Sequence, residues 1–182
     1  MEAEDLAARL RGEVGPSRAM EIGTAWHAVL EDPPSLEIEE IESLGHRFRV
    51  ECDATLELSP IRELRAEHVY EVDGVSVTLT GAVDGLAGTV ITDHKLTSRI
   101  DPERYFGSYQ WRAYLDIFGA DAMDYRLFEA KDETDVIRIT DMQTIRLYRY
   151  PGMREDLIAG IRDYLDFVRQ YMPEHLEQKE AA

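Results

Sequence analysis

The stretch "VITDHKLTSR", residues 90–99, places a lysine two positions after an aspartate at the end of a β-branched run. Lysine is scarce in this chain, which has three lysines against 17 arginines. Because successive side chains of a β-strand point to opposite faces, Asp93 and Lys95 share one face and His94 points to the other. An isolated Asp-x-Lys tripeptide is ordinarily an exposed ion pair, so the surrounding sequence decides whether this one carries chemistry.

The residues before this stretch predict an antiparallel meander of three strands. Runs rich in Val, Thr, Tyr and Ile alternate here with two glycine-containing turn signals: runs 67–72, 75–83 and 89–95, with turns at 73–74 and 86–88. Asp84 then ends the second strand, and Asp93 ends the third. If these two strands pair across their short turn, the two carboxylates converge at the same place in the sheet.

The flanking segments predict helices packed on a larger sheet. Ser17 caps a helix over 18–30, and an amphipathic helix over 102–118 is closed by Gly119. Further elements are expected on both sides: strands at 124–130 and 136–148, a helix from Pro151, a weakly helical or lid-like segment at 35–54 and a connector at 59–68. This order indicates an α/β fold with a central mixed sheet flanked by helices.

The length of 182 residues predicts a single domain over residues 1–182. No apolar run approaches the roughly 20 residues of a membrane-spanning helix. The N-terminus lacks the basic and apolar regions of a signal peptide. One cysteine, Cys52, excludes an internal disulfide and any four-cysteine zinc or iron–sulfur site. We therefore expect a cytoplasmic protein with no membrane partner.

The formal net charge of -17 constrains the partners of the chain. Strong acidity disfavours broad, nonspecific contact with nucleic acid or anionic membrane, because neutralising phosphates requires clustered Lys and Arg. The same charge is compatible with an acidic cleft that binds cations, with a high-salt habitat, or with a protein that mimics the charge of DNA. Composition alone leaves these three alternatives open.

Converging carboxylates at residues 84 and 93 would repel each other unless a cation lies between them. Oxygen ligands in this arrangement suit Mg²⁺ or Mn²⁺. Next to a metal-bound carboxylate, Lys95 can orient a bound water and neutralise charge that develops on phosphorus. The side chain of His94 points away, but its backbone carbonyl can supply a further oxygen to a metal.

Four short motifs surround these residues in order: "GTAWH" at 23–27, "GAVD" at 81–84, "DHK" at 93–95 and "QWRAY" at 110–114. In this order and at these separations they resemble the RecB-like branch of the PD-(D/E)XK nuclease superfamily, and phage-type exonucleases of that branch in particular. The resemblance covers about residues 20–120, with C-terminal strands and a helix following at 121–176. It implies a restriction-endonuclease-like αβββαβ core.

The resemblance also implies roles for individual residues. Asp84 and Asp93 would ligate the metal, Lys95 would be the catalytic lysine, and His27 would be an additional ligand. A core histidine packed beside Trp26 is the alternative for His27.

On the next helix, the resemblance places Gln110 and Tyr114 along the path of the nucleic acid. They are spaced i, i+4 and share one helix face, although Tyr114 can equally pack the core. Arg99 and Arg112 are candidate phosphate contacts, and Glu67 is a further acid that could face the same cleft.

The function implied is a metal-dependent nuclease, expected to be a DNA exonuclease in phage or bacterial recombination and repair. Mg²⁺ or Mn²⁺ would be its cofactor, without an iron–sulfur cluster. DNA ends would be its substrate, with a single-strand annealing protein, a helicase, another recombination protein or further copies of the chain as partners. The competing interpretation is a catalytically inactive acidic interaction protein or DNA mimic built on a nuclease fold.

Overall fold

One mixed sheet of seven strands organises the computed structural model, which describes residues 2–31, 40–53 and 59–177. The strands are β1 Ile41–Ser43, β2 His46–Val50, β3 Ile61–Val72, β4 Val75–Ala87, β5 Val90–Thr97, β6 Ala122–Asp132 and β7 Ile137–Tyr148. The helices are α1 Ala3–Leu10, α2 Arg18–Glu31, α3 Pro102–Phe106, α4 Gln110–Phe118, α5 Met153–Tyr171 and α6 Glu174–Glu177.

The strand order across the sheet is β1-β2-β7-β6-β5-β4-β3. Two neighbouring pairs, β2 with β7 and β5 with β6, are parallel, and the other pairs are antiparallel. Parallel strands that follow one another need a crossover, and α3 and α4 provide it between β5 and β6. The fold is α/β, with a mixed sheet flanked by helices, as the sequence predicts.

The meander predicted before residue 95 is confirmed, although its strands are longer than expected. Asp73-Gly74 forms the first turn, with φ of 51° and 79°, and the second turn lies at 88–89. Asp84 and Asp93 consequently lie inside β4 and β5 and do not end them. The connector expected at 59–68 is wrong from Ile61 onward, because β3 already begins there. Its charged, exposed side chains suit the edge of a sheet and conceal the strand pattern.

The helical pattern predicted across 35–54 is wrong where the structure describes it. Residues 41–50 form the hairpin β1–β2 around a turn at Leu44-Gly45, with φ of 46° and 80°. Phe48 explains the outcome, because its fully buried ring contacts Trp26 and β2 pairs with β7. The parts of this prediction at 35–39 and at 54 lie outside the described residues.

The single helix predicted over 102–118 is two helices in the structure. Gly107 ends α3, and the Ser108 hydroxyl accepts a hydrogen bond from the Gln110 backbone N–H at 3.1 Å. Glycine is a poor helix former and the Ser108 side chain competes for backbone groups, so the helix breaks here and restarts as α4. The predicted cap at Gly119 is confirmed by its left-handed φ of 63°. The strands expected near 124–130 and 136–148 and the C-terminal helix are also confirmed.

Consecutive residues of β6 show that α2 and α4 cover opposite faces of the sheet. Leu127 packs in a core with Trp111 and Leu115 of α4, whereas Phe128 packs in a second core with Trp26 of α2. This alternation is the ordinary consequence of strand geometry. In a third core α5 packs on the β3–β4 hairpin. In the described ranges, no helix is long and apolar enough to cross a membrane.

A glycine in β4 tests how tightly α4 packs on the sheet. A Cβ at Gly81 would lie 2.8 Å from the Phe118 ring and 3.4 Å from that of Tyr114. We expect Gly81→Ala to lower the free energy of unfolding by about 1–3 kcal/mol through overpacking. Gly23→Ala is the control, since nothing lies within 4 Å of its Cβ position in α2. It should stabilise by about 0.5–1 kcal/mol. Urea denaturation measures both, and a Gly81→Ala protein as stable as the wild type would contradict the packing.

Candidate active site

The site is created where the ladder between β4 and β5 stops. Three residue pairs form this ladder, and Gly85 opposite Thr92 is the last. Two residues further along β5, the backbone N–H of His94 donates to the Asp84 carboxylate at 2.6 Å. The Asp84 side chain thus accepts a hydrogen bond from a backbone N–H that would have donated to a β4 carbonyl in a longer ladder. The two strands separate here without leaving that N–H unsatisfied.

Asp84 lies between two imidazoles on the face of the sheet covered by α2. Its Oδ1 is 3.6 Å from Nδ1 of His27, and its Oδ2 is 3.3 Å from Nδ1 of His94. The His27 side chain is 36% exposed, so it is not the fully buried core histidine of the alternative. Its role as a ligand stays a prediction. The His94 side chain was expected to point away from the site. It does face away from Asp93, but in doing so it reaches Asp84.

Asp93 and Lys95 form an ion pair on the opposite face, under α4. Oδ2 of Asp93 lies 2.8 Å from Nζ of Lys95, and the Asp93 side chain is 4% exposed. Gln110 Nε2 donates to Asp93 Oδ1 at 3.4 Å and to the Tyr114 hydroxyl at 3.2 Å. Gln110 Oε1 accepts from the Tyr125 hydroxyl at 3.4 Å. Gln110 therefore ties the buried carboxylate to the face of α4 that carries Tyr114.

The two carboxyl groups have pKa values that shift in opposite directions. Burial alone would raise the pKa of Asp84, but hydrogen bonds from His94 and the nearby charges of His27 and His94 lower it below its ordinary value. Burial raises the pKa of Asp93, and the charge of Asp84 adds to this while Lys95 opposes it. Burial lowers the pKa of Lys95, but Asp93 outweighs it and the net shift is upward. Lys95 therefore keeps its proton and acts as a cation.

The two predicted arginine contacts are not brought to this cluster. The Arg112 guanidinium lies 4.5 Å from the Trp111 ring, and it donates to the Tyr150 hydroxyl at 3.0 Å and to the Ser108 carbonyl at 2.7 Å. These contacts hold α4 in place. Arg99 is exposed beyond the end of β5.

A cavity of about 490 Å³ opens beside Asp84, between α2 and the start of β3. Its lining combines acids, imidazoles and one guanidinium: His27, Leu30, Glu31, Ser59, Arg62, Glu63, Asp84 and His94. Sequence reasoning missed Glu63 and Arg62, because it assigned this segment to a connector. It chose Glu67 instead, which is exposed and does not line the cavity. The period-two pattern of β3 begins only at Leu64, so the sequence offered no strand signal for residues 61–63.

The donor set fits Mg²⁺ or Mn²⁺ in its chemistry, since it offers carboxylate oxygens and imidazole nitrogen. Oδ2 of Asp93 is buried, and its partner among the described residues is the Lys95 ammonium at 2.8 Å. A carboxylate oxygen has two lone pairs, so this contact still allows a cation to share the oxygen. Within 2–31, 40–53 and 59–177, no three His, Cys, Asp or Glu side chains are already arranged as a metal-binding group. The carboxylates of Asp84 and Asp93 approach the strand gap from opposite faces.

Replacing Lys95, the positive partner of the buried Asp93–Lys95 pair, tests this electrostatic arrangement. We expect Lys95→Met to destabilise by about 2–3 kcal/mol at pH 7, less than the roughly 3–5 kcal/mol of a fully buried pair, because Lys95 is 30% exposed. Without Lys95 the folded-state pKa of Asp93 stands further above its unfolded value. The stability that Lys95→Met loses relative to the wild type should therefore be largest above that folded pKa, and it should shrink as pH falls toward 4.

Thermal denaturation from pH 4 to pH 8 measures this deficit. The double variant Asp93→Asn/Lys95→Met should recover most of the lost stability, because it buries no unpaired charge. A deficit that stays constant over this pH range would show that Lys95 contributes packing and not charge.

Comparison with known proteins places the fold. No protein-family model matches the chain, and no curated protein matches it. An alkaline exonuclease, LHK-Exo from Laribacter hongkongensis, aligns over 98% of this chain and 82% of its own, with a TM-score of 0.50 and 17% identity. Its complex with dAMP aligns over 98% and 83%, with a TM-score of 0.50 and 16% identity. A third structure, SSO0001, has a TM-score of 0.43 and 12% identity, and the chain spans 48% of its length. The described chain thus has the fold of an alkaline exonuclease.

Proposed function

We propose that this chain is a metal-dependent nuclease of the PD-(D/E)XK type that hydrolyses phosphodiester bonds at DNA ends. The observation that supports it best is the arrangement of Asp84, Asp93 and Lys95 around the point where β4 and β5 separate. A purely structural role explains this poorly, since burying Asp93 beside a second carboxylate is unfavourable. The likeness to an alkaline exonuclease supports the same function at the level of fold.

Each residue has a chemical task in this proposal. Asp84 and Asp93 hold the cation, with His27 and the His94 carbonyl as further ligands. A bound Mg²⁺ or Mn²⁺ would supply Lewis-acid stabilisation of the charge on the phosphate. Lys95, kept protonated beside Asp93, donates to the phosphate oxygens as negative charge builds on them. Gln110 fixes the orientation of Asp93, and Tyr114 extends the same face toward the substrate.

Action at a DNA end is the finer part of the proposal. The structural neighbour is named an exonuclease and was crystallised with dAMP, a product-sized nucleotide. Broad contact with long DNA is unfavourable for a chain of net charge -17. A strand end that enters one cation-loaded cleft needs fewer phosphate contacts. A recombination partner, or further copies of the chain, would supply any additional basic surface.

Digestion of end-labelled linear DNA tests the function. We expect cleavage with Mg²⁺ or Mn²⁺ that stops on adding EDTA, and a loss of about 10²–10⁴ in kcat for Lys95→Ala. Lys131→Ala is the matched control, because Lys131 is exposed on β6, outside the cluster. Circular DNA without ends should resist. Cleavage that survives EDTA, or equal activity in the two lysine variants, would refute the proposal.

A second candidate is an inactive acidic protein that occupies the DNA site of another protein. The net charge of -17 favours it. Titration calorimetry separates the two functions: a nuclease binds Mn²⁺ more weakly after Asp84→Asn, whereas a mimic binds a basic DNA-binding protein equally well with or without that substitution.

A further inference from the structure

Glu63 has a backbone conformation that its position in β3 does not explain. Its φ is 51°, in the left-handed region that non-glycine residues rarely adopt. Among the described residues, two other non-glycine residues have positive φ, Leu44 and Asp73. Both of those lie in tight hairpin turns directly before a glycine. Glu63 lies inside a strand of 12 residues.

A β-bulge does not account for it either. On one side of Glu63 the ladder pairs Arg62 with Gly85, and on the other it pairs Leu64 with Val83. The register is the same on both sides, so no residue has been inserted. Glu63 therefore stands opposite Asp84, and it is at this position that the regular pairing lapses. A strained residue inside a strand whose register is the same on both sides persists when the surrounding structure holds it, commonly at functional sites.

The surroundings of Glu63 give this conformation a chemical meaning. Its side chain lines the cavity that also holds Asp84 and His27. Glu31 lines the same cavity, so the carboxylates of Glu31, Glu63 and Asp84 face one space. No hydrogen bond to its carboxylate occurs within the part of the chain that the structure describes. The carboxylate therefore keeps its capacity to accept one from a ligand.

Hydrolysis requires an acceptor for the proton of the attacking water, and two of the other groups are already engaged. Lys95 is protonated in its ion pair with Asp93. Asp84 already accepts a hydrogen bond from the His94 backbone and faces two imidazoles. Among the described residues that line this cavity, Glu63 is the acid that stands opposite Asp84 in the β3–β4 ladder, whereas Glu31 lies at the end of α2.

We propose that Glu63 is a catalytic residue of the hydrolysis proposed above, on which this inference rests, and that the left-handed backbone aims its carboxylate at the attacking water. The water oxygen forms a bond to phosphorus while the bond from phosphorus to the leaving oxygen breaks. The water proton passes to Glu63, and the leaving oxygen takes a proton from solvent. The strained backbone lowers the stability of the fold, and it positions this one carboxylate.

Three substitutions separate charge, side chain and strain. Glu63→Gln keeps the shape of the side chain but removes the basic carboxylate that takes up the proton, so kcat on linear DNA should fall by about 10²–10⁴. Glu63→Ala and Glu63→Gly both remove the carboxylate, but glycine adopts positive φ without strain. The melting temperature of Glu63→Gly should exceed that of Glu63→Ala by roughly 2–4 °C, while both variants lose cleavage.

Leu44 provides the matched control, because it has φ of 46° and is 68% exposed in the turn between β1 and β2. Leu44→Gly should exceed Leu44→Ala in melting temperature by a similar amount, with cleavage unchanged. A Glu63→Gln protein within twofold of wild-type kcat would overturn the proposal, and so would a Glu63→Gly protein less stable than Glu63→Ala. Wild-type protein that fails to cleave DNA would refute the nuclease function itself, a result distinct from active Glu63→Gln.

Discussion

The hydrogen bond from the His94 backbone to the Asp84 carboxylate is the contact on which the site depends. It replaces a strand-to-strand bond by a side-chain bond and so ends the β4–β5 ladder after three residue pairs. Beyond that point β5 continues beside β6 alone, for the last five of its eight parallel pairs. The edge of β5 that faces β4 is thereby exposed next to Asp93 and Lys95. A polar site inside a sheet requires such an opening, since a complete ladder would leave no room for a ligand.

The surface charge of the chain limits what this opening can bind. Several arginines are held in two-pronged pairs with acids: Arg18 with Asp132, Arg138 with Glu51, Arg146 with Asp124 and Arg162 with Asp73. A guanidinium that already faces a carboxylate offers little to a phosphate, so counting arginines overstates the capacity for nucleic acid. Arg112 shows the same effect, because its contacts go to aromatic rings and backbone carbonyls. Under the proposed function, affinity for a phosphodiester would come chiefly from a cation at Asp84 and Asp93 and from Lys95.

Much of this could be predicted from sequence where a local pattern and a local force agree. Turn chemistry and a period of two predict the meander and the shared face of Asp93 and Lys95 on β5. The i, i+4 spacing predicts the shared face of Gln110 and Tyr114 on α4. The hairpin at 41–50 could not be foreseen, because the burial of Phe48 against Trp26 is a long-range contact that overrides a weak helical pattern. The imidazole of His94 was missed since strand alternation gives its face but not its partner. Glu63 was missed because its backbone is left-handed for a reason outside its own segment.

The position of Asp84 links the two halves of the site. Asp93 and Lys95 lie under α4, and His27, His94 and Glu63 lie toward α2, so the sheet separates them. Asp84 acts on both sides: its charge raises the pKa values of Asp93, Lys95 and Glu63, while His94 and His27 lower its own. A cation bound there would relieve the repulsion among all three acids at once. Under the proposed function, the free energy of binding that cation would stabilise the loaded fold and so offset the cost of burying Asp93 near Asp84.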